Sequence, residues 1–340
     1  MTTQVERPMP VKPALTSRQQ IAGFVRRNSL QIGIVGIFLV MWIFLTIASP
    51  RTFQHKEIYI ALAESVPFYG IMALPITLLV IAQEIDLSFG SIMAVSVMTF
   101  TLVFQRSGSP LLGLIGCLLA GSLAGLINGF IVVRIGLPSL IATIGTQFFW
   151  RGFVLVVTNA SIEPMTKIAD ADPVLQNLLI GKLFGVIPAQ FIWMVIIAVA
   201  IWVLLNRHRF GAHVYLIGDN PNSARLMGIN VGQRRILMFG LVGLSAAFAG
   251  IITSYDIGSF FTSLGDGYLL QTLSSVFLGG TSVLGGTGTI LGTFIGCFII
   301  GGIEPGTVAI GLTGFWTQLI YGLVIVVSVG MHTILRRRIR

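Results

Sequence analysis

The stretch LQIGIVGIFLVMWIFLTIA, at residues 30–48, decides the class of this protein. It contains no charged side chain, and about 20 mostly apolar residues are enough to cross the hydrocarbon core of a bilayer as a helix. The residues before it do not combine a short apolar core with the small-residue cleavage site of a signal peptide. We therefore expect this stretch to stay in the membrane as a helix.

The composition of the whole chain gives the same indication. Of 340 residues, 54% are hydrophobic and only 10% are charged, and the mean hydropathy is +0.91. A soluble domain is about one-quarter charged, and no soluble core of this size could bury so much apolar surface. The 40 glycines are suited to the close approach of helices in lipid. The two cysteines lie inside apolar runs, which excludes a disulfide framework.

Ten apolar runs are predicted to cross the membrane, so the predicted fold class is an all-α polytopic membrane protein with about ten transmembrane helices, some of them short or broken. Run 138–157 carries Arg151, and the last three runs include a short pair that is separated by glycines. The ten runs are residues 30–48, 61–82, 87–104, 110–133, 138–157, 183–205, 236–254, 269–284, 290–303 and 312–332.

Basic residues set the predicted orientation. The net charge of +9 would suggest a nucleic-acid partner in a soluble chain, but fourteen of the 21 Lys and Arg residues fall in residues 1–29, 206–235 and 336–340. Positively charged segments stay on the cytoplasmic side, and ten crossings place all three there. We expect residues 1–29 to be a disordered cytoplasmic tail, residues 30–335 a single transmembrane domain, and residues 336–340 a second tail. No nucleic-acid partner is expected.

Two carboxylates lie between apolar runs in QEIDLSFGS, at residues 83–91. One interpretation is a short cytoplasmic hinge in which Asp86 caps the next helix. The other is a buried carboxylate close to the substrate path, because ionisable groups at membrane depth usually face a cavity. The first interpretation is the commoner one in proteins, and both stay open at this point.

Arg151 follows the residues SLIATIGT of the fifth apolar run. At the centre of a span it would cost about 2.5–3.5 kcal/mol, so it needs a partner or water. It could extend toward an interface from a tilted helix, or it could mark a break in a helix that lines the pathway.

The basic segment 206–235 contains GDNPNSARLMGINV, at residues 218–231. Asn220 and Pro221 predict a turn and a helix start, and Gly228 predicts its end. Such a short helix would expose Leu226 and Met227 to the cytosol, which favours docking into a groove of a partner protein. A helix lying on the lipid headgroups is the alternative.

The glycine-rich stretch FLGGTSVLGGTGTI, at residues 277–290, resembles a phosphate loop only superficially. It lacks the Lys-Ser/Thr ending and the spacing of a nucleotide site, so we interpret its glycines as allowing a tight turn and close helix contacts. The four histidines are scattered, and no catalytic constellation recurs. We expect no catalytic residue, cofactor or metal on this chain.

Four motifs together carry a family resemblance. EIDLSFGS (84–91), LIATIGTQFFWRG (140–152), the segment 218–231 and FLGGTSVLGGTGTILGTFIG (277–296) occur in one order from about residue 61 onward. In this respect the chain resembles the permease subunits of the ribose-, xylose- and galactose-type bacterial ATP-binding-cassette (ABC) importers, which reside in the inner membrane.

The resemblance implies several partners. These are a pair of cytoplasmic ATPase subunits that bind ATP and Mg²⁺, a periplasmic sugar-binding protein, and a second permease chain in a homodimeric or pseudo-dimeric pore. It marks a coupling helix that enters the ATPase, with the residues Asn222, Ser223, Ala224, Arg225, Leu226, Met227, Gly228 and Ile229. Asn222-Ser223-Ala224 stands where other importers have Glu-Ala-Ala, so a salt bridge is not expected from its first position.

The leading hypothesis is therefore a permease subunit that moves a monosaccharide or related polyol inward, driven by ATP hydrolysis on a separate subunit. Its candidate pathway residues are Asp86, Ser88, Thr143, Thr146 and Arg151. One alternative is an ion-coupled secondary transporter of a small polar solute, which needs a carboxylate deep in a span, whereas Glu84, Asp86 and Glu304 lie at predicted span ends. A membrane-embedded enzyme would need a catalytic constellation that the sequence does not show.

Overall fold

A computed structural model describes residues 29–339 and the side chains of residues 31–330. Helices dominate the described part of the chain. In order they are α1 (Ser29–Ala48), α2 (Pro50–Phe53), α3 (Lys56–Ile81), α4 (Phe89–Ser107), α5 (Pro110–Phe130), α6 (Ser139–Thr158), α7 (Thr166–Ala171), α8 (Pro173–Ile180), α9 (Ala189–Asn206), α10 (Arg209–Asp219), α11 (Pro221–Leu226), α12 (Val231–Ile257), α13 (Tyr268–Leu278), α14 (Ile290–Ala309) and α15 (Phe315–Ile339). A π-helical turn, Ile131–Ile135, extends α5.

Four two-residue strands complete the fold. They are β1 (Glu163–Pro164), β2 (Lys182–Leu183), β3 (Ile187–Pro188) and β4 (Ser259–Phe260). β1 pairs antiparallel with β4, with Glu163 opposite Phe260. β2 pairs antiparallel with β3 as a local hairpin.

The helices confirm the predicted class of an all-α polytopic membrane protein. Eight described helices, α1, α3, α4, α5, α6, α9, α12 and α14, are long and apolar enough to cross a membrane. Two shorter apolar helices, Tyr268–Leu278 and Phe315–Gly330, fall on the eighth and tenth predicted runs. Every predicted run therefore corresponds to a helix.

Two predicted runs extend six residues beyond their helices. The run 183–205 begins as a helix only at Ala189, because the residues before it form the β2–β3 hairpin, whose turn holds Phe184 and Gly185 at positive φ. The run 269–284 stops at Leu278, because Gly280 follows with φ of +84°. Hydrophobicity continues through both places, but the backbone turns there.

The connecting segments separate into two groups at opposite ends of the molecule. At one end, Gln83 donates to the carbonyls of Gly218 and Leu284, which joins segments 82–88, 206–235 and 279–289. At the other end, β1 pairs with β4 and Lys182 forms an ion pair with Glu64. This division agrees with the predicted topology, in which the first group is cytoplasmic.

Glycine contacts bring the central helices together. α3, α4 and α12 are the most buried of the spanning helices and α5 packs against them with one face, whereas α1, α6 and α9 are largely exposed. On α5, Gly125 packs against the backbone of α12, where an added Cβ would lie 3.1 Å from the Cα of Gly243. Backbones approach this closely only where side chains are absent.

The predicted tails remain predictions. Residues 1–28 of the predicted N-terminal tail lie outside the described residues. The stretch 336–340 follows directly from the last span, since α15 continues to Ile339. The segment 206–235 is an ordered pair of short helices, α10 and α11, followed by the start of α12.

Candidate functional site

The short helix α11 forms where the sequence predicts it. Asn220 is its N-cap, and the side chain accepts hydrogen bonds from the backbone N–H groups of Asn222 and Ser223 at 2.9 and 3.0 Å. Pro221 occupies the first turn, where the missing N–H costs nothing. Gly228 has a φ of +80° and follows the C-cap, so it ends the helix as expected.

α11 is anchored on one face and open on the other. Ala224 and Ile229 are buried, whereas Leu226 is 90% exposed and Met227 is 65% exposed. Arg225 donates to the side chain of Asn222 at 3.0 Å. The exposed pair therefore stands out from a helix whose own position is fixed, which is the geometry suited to a groove on another protein.

The neighbouring helix α10 packs tightly on the end of α3. Gly218 leaves no room for a side chain, since an added Cβ would lie 2.6 Å from the backbone N of Gly286. The Tyr215 hydroxyl donates to the carbonyl of Gly288 at 2.8 Å. Burial, aided by the positive charges of Arg234 and Arg209, lowers the pKa of His213.

Gln83 connects α10 to the segment that follows α3. Its side-chain amide donates to the carbonyl of Gly218 at 2.8 Å and to that of Leu284 at 3.2 Å. Its backbone φ is +66°, a left-handed conformation that is uncommon for residues other than glycine. Next to it, Glu84 and Arg235 form a mostly buried ion pair at 2.8 Å. Segment 82–88 is thus held against α10, the helix that directly precedes α11.

Segment 82–88 continues into a buried polar junction. The Oδ1 atom of Asp86 accepts from the backbone N–H and the hydroxyl of Ser88, at 2.7 and 2.6 Å. Asn128 of α5 donates to the Ser88 hydroxyl at 2.6 Å and lies 3.5 Å from Asp86. All three side chains are fully buried. The structure therefore places Asp86 inside the protein, and it also gives it the local turn expected of a helix start.

The capping interpretation of Asp86 needs one correction. α4 begins at Phe89 and its N-cap is Ser88, so Asp86 accepts from the N-cap residue and not from the first turn of the helix. The reason is that residues 84–88 are not helical, so Asp86 lies two residues before the N-cap position.

Two of the predicted pathway residues on α6 lie beside this junction. The Thr143 hydroxyl donates to the carbonyl of Ser139 at 2.8 Å and is 3.5 Å from that of Ile85. The Ser139 hydroxyl accepts from the backbone N–H of Ile85 at 3.2 Å. Thr146 donates back along α6 to Thr143 at 3.3 Å. Asp86, Ser88 and Thr143 are therefore grouped, and Thr146 follows one turn along.

Arg151 lies apart from this group, eight residues beyond Thr143 and therefore about 12 Å farther along the helix. Its guanidinium donates to the backbone carbonyls of Thr262 and Leu264 and forms an ion pair with Asp266. Helix α6 runs unbroken through this position, so of the two alternatives the break in the helix is wrong. The expected partner is present, and Arg151 faces protein.

The 258–267 segment that Arg151 contacts re-enters the molecule. It starts beside β1 at one end, and α13 then begins at Tyr268, whose ring lies 6.4 Å from that of Phe68, halfway along α3. Non-helical backbone at membrane depth needs polar partners inside the protein. Arg151 is the polar partner of two backbone carbonyls of this segment, those of Thr262 and Leu264.

The re-entrant segment reaches the start of α4. Gly265 has a φ of +90° and meets Gly90, where an added Cβ would lie 2.7 Å from the Gly265 carbonyl oxygen. The 82–88 segment approaches this contact from the end predicted to be cytoplasmic and the 258–267 segment from the opposite end. Long helices followed by irregular segments that meet at mid-depth are typical of transporters built from inverted repeats.

Sequence reasoning missed Asn128, Gln83 and the pair of Glu84 with Arg235. Asn128 was detectable as an uncharged polar residue inside the apolar run 110–133. The contacts of Gln83 and Glu84 join positions more than 130 residues apart, so they depend on the packing of whole helices. No group of three potential metal ligands occurs among the described residues.

A membrane domain in which irregular segments meet at the centre is typical of the class of membrane transport proteins. Residues 58–329 match the model of the family described as branched-chain amino acid transport system / permease component, and the chain belongs to that family.

Curated relatives agree with this assignment. The chain is 31% identical over 301 residues to the autoinducer 2 import system permease protein LsrC of Yersinia pestis (strain Pestoides F), an alignment that covers 88% of this chain and 82% of the relative. The protein of the same name from Yersinia pseudotuberculosis serotype O:3 (strain YPIII) matches with the same identity and coverage. No solved structure matches.

Proposed function

We propose that this chain is the membrane permease subunit of an ABC importer in the bacterial inner membrane, and that it moves a monosaccharide or related polyol from periplasm to cytoplasm. ATP and Mg²⁺ bind to a separate ATPase subunit, and this chain carries out no catalysis. A periplasmic sugar-binding protein delivers the solute, and a second permease copy completes the conduit.

The observation that carries this proposal is the exposure of Leu226 and Met227 on α11. Burying each of these side chains against a partner is worth about 1.5–3 kcal/mol. α10 and Gln83 join the base of this helix to segment 82–88, and that segment leads to the junction at Gly90. Contacts between packed residues therefore connect α11 to the centre of the membrane domain. A movement of the partner protein at α11 can be transmitted through them.

The chemistry of the central helices supports a neutral polyol. Among the described buried polar side chains of α3, α4, α5, α12 and α13, all are hydroxyls except Asn128 of α5; the hydroxyls are Thr77, Ser91, Ser96, Thr101, Ser245, Thr253, Ser254, Thr272, Ser274 and Ser275. Hydroxyl groups match the donors and acceptors of a sugar. An amino acid would need charged partners for its ammonium and carboxylate groups.

Loss of energy coupling tests the role of α11. We expect the double variant Leu226→Asp, Met227→Asp to release the ATPase, or to abolish transport while the membrane domain stays folded, because α11 lies outside the spans. The measurements are retention of the ATPase on the purified permease, and solute-stimulated ATP hydrolysis and uptake in proteoliposomes.

A matched control places the same charge elsewhere. The double variant Leu183→Asp, Phe184→Asp changes two exposed apolar side chains of the β2–β3 hairpin, at the opposite end of the molecule, and should retain the ATPase. If the double variant in α11 binds the ATPase, hydrolyses ATP and transports at the parental rate, α11 is not the coupling element.

Family membership supports this proposal over an ion-coupled transporter, and nothing in the described structure favours the alternative. The two differ in energy source. Uptake should survive collapse of the proton and sodium gradients and stop on ATP depletion; the opposite result would reject the ABC assignment.

A further inference from the structure

An apolar groove of about 310 Å³ lies between α9 and α14, on an outer face of the membrane domain. Val195, Ala198, Val199 and Trp202 of α9 line it, together with Leu291 and Phe294 of α14. α9 ends at Asn206, just before the basic segment, and α14 begins directly after the 279–289 segment. The groove therefore lies in the cytoplasmic half of the membrane.

A positive charge stands at the end of this groove. Arg207 follows α9 directly, and its guanidinium carbon lies 5.7 Å from the centre of the Trp202 ring. Because a guanidinium stacked on an indole keeps its N–H groups free at the edge, Arg207 can still bind an anion. The ion pairs found among the described residues involve Arg151, Lys182 and Arg235, so no carboxylate there neutralises Arg207.

We propose that this groove binds one acyl chain of an anionic phospholipid from the cytoplasmic leaflet, with the phosphate group on Arg207. The apolar walls match a hydrocarbon chain and offer nothing to a sugar or to free phosphate. Tryptophan and arginine at the end of a spanning helix lie at headgroup level, and basic pockets between helices on this side bind anionic headgroups. A packed protein helix would fill the groove but leave Arg207 without a counterion.

Lipid retention tests the site directly. The full-length chain, purified in mild detergent with equal amounts of phosphatidylglycerol and phosphatidylethanolamine, is examined by native mass spectrometry. We expect a preference of about five-fold for phosphatidylglycerol, the factor that one basic residue near an anionic leaflet contributes. Arg207→Gln should remove that preference and leave the melting temperature unchanged.

Two controls match these variants. Arg106→Gln changes an exposed arginine in the last turn of another spanning helix, α4, away from the groove, and should keep the preference. Ala198→Phe fills the groove and should lower retention of both lipids, whereas Ala198→Ser should not. If Ala198→Phe does not fold, the comparison of Arg207→Gln with Arg106→Gln decides alone.

Two results would overturn the proposal. One is an unchanged phosphatidylglycerol preference in Arg207→Gln. The other is efficient cross-linking of Val199→Cys to a second protein chain in native membranes, which would show that protein occupies the groove. This inference does not depend on the transported solute, so it can fail while the proposed function stands.

Discussion

At the scale of single residues, Arg151 shows how an intramembrane charge can serve the backbone. It is 15% exposed and binds two carbonyls and Asp266 of the 258–267 segment. Hydrogen bonds to a charged group contribute about 1.5–3 kcal/mol each when buried, and the ion pair adds less because Asp266 is half exposed. Arg151 therefore holds the re-entrant segment through these contacts.

Arg151→Leu should lower transport strongly and reduce stability by about 1–3 kcal/mol, because the carbonyls of Thr262 and Leu264 lose their donor. Asp266→Asn is the matched control: it removes the charge partner, leaves the donors to the carbonyls in place, and should have a smaller effect. Uptake and the midpoint of thermal unfolding are the measurements. Near-normal uptake by Arg151→Leu would show that transport does not need the contacts between Arg151 and the 258–267 segment.

Gln83 offers a test in which glycine should be tolerated better than alanine. Both Gln83→Gly and Gln83→Ala lose the hydrogen bonds to Gly218 and Leu284, but only glycine adopts the φ of +66° without strain. We expect the alanine variant to be less stable by about 1–2 kcal/mol. Both variants should transport less solute per ATP hydrolysed, measured in proteoliposomes. Equal stability of the two variants would contradict the left-handed conformation.

At the scale of elements, the contact between α4 and the 258–267 segment permits no side chain. Gly90→Ala should destabilise the protein by about 1–3 kcal/mol, the usual cost of overpacking, and should stop transport. Gly33→Ala in α1 is the control, because an added Cβ meets nothing within 4 Å there, and it should keep or slightly raise stability. Thermal unfolding in detergent compares the two. A Gly90→Ala protein as stable as the parent would show that this contact is loose.

The same elements show what sequence can predict in this fold. Every spanning helix was predicted, because lipid imposes one composition over a fixed length. Helix α11 was predicted to within about one turn, since Asn220, Pro221 and Gly228 act through local backbone rules. The start of α9 was missed because a hairpin can be as apolar as a helix, and hydrophobicity does not report the left-handed turn at Gly185.

The candidate site was predicted less completely. Asp86, Ser88 and Thr143 were proposed for one pathway, and the structure brings them together. Arg151 was grouped with them but serves a different segment. Asn128 could not be assigned a partner from its own neighbourhood, because its contacts with Asp86 and Ser88 depend on how α5 packs beside segment 82–88.

At the scale of the whole molecule, the topology is the broadest prediction. Single cysteines at Ser223 and Ser161, in a background lacking Cys117 and Cys297, should react with impermeant reagents from opposite sides of the membrane. The expectation rests on the charge bias of the loops and on the separation of the connecting segments into two ends. Labelling of both positions from the periplasm would contradict the ten-crossing arrangement.

The pairing of β1 with β4 has a thermodynamic consequence for the complete importer. It attaches the outer segment 159–188 to the re-entrant segment at Ser259 and Phe260. Two residues later is Thr262, whose backbone carbonyl accepts a hydrogen bond from Arg151. Under the proposed function, a protein that binds the outer segment acts on the same re-entrant segment that the ATPase would reach through α11. Linkage is reciprocal: if nucleotide on the ATPase changes the affinity of the outer partner by some factor, the outer partner must change the nucleotide affinity by that same factor.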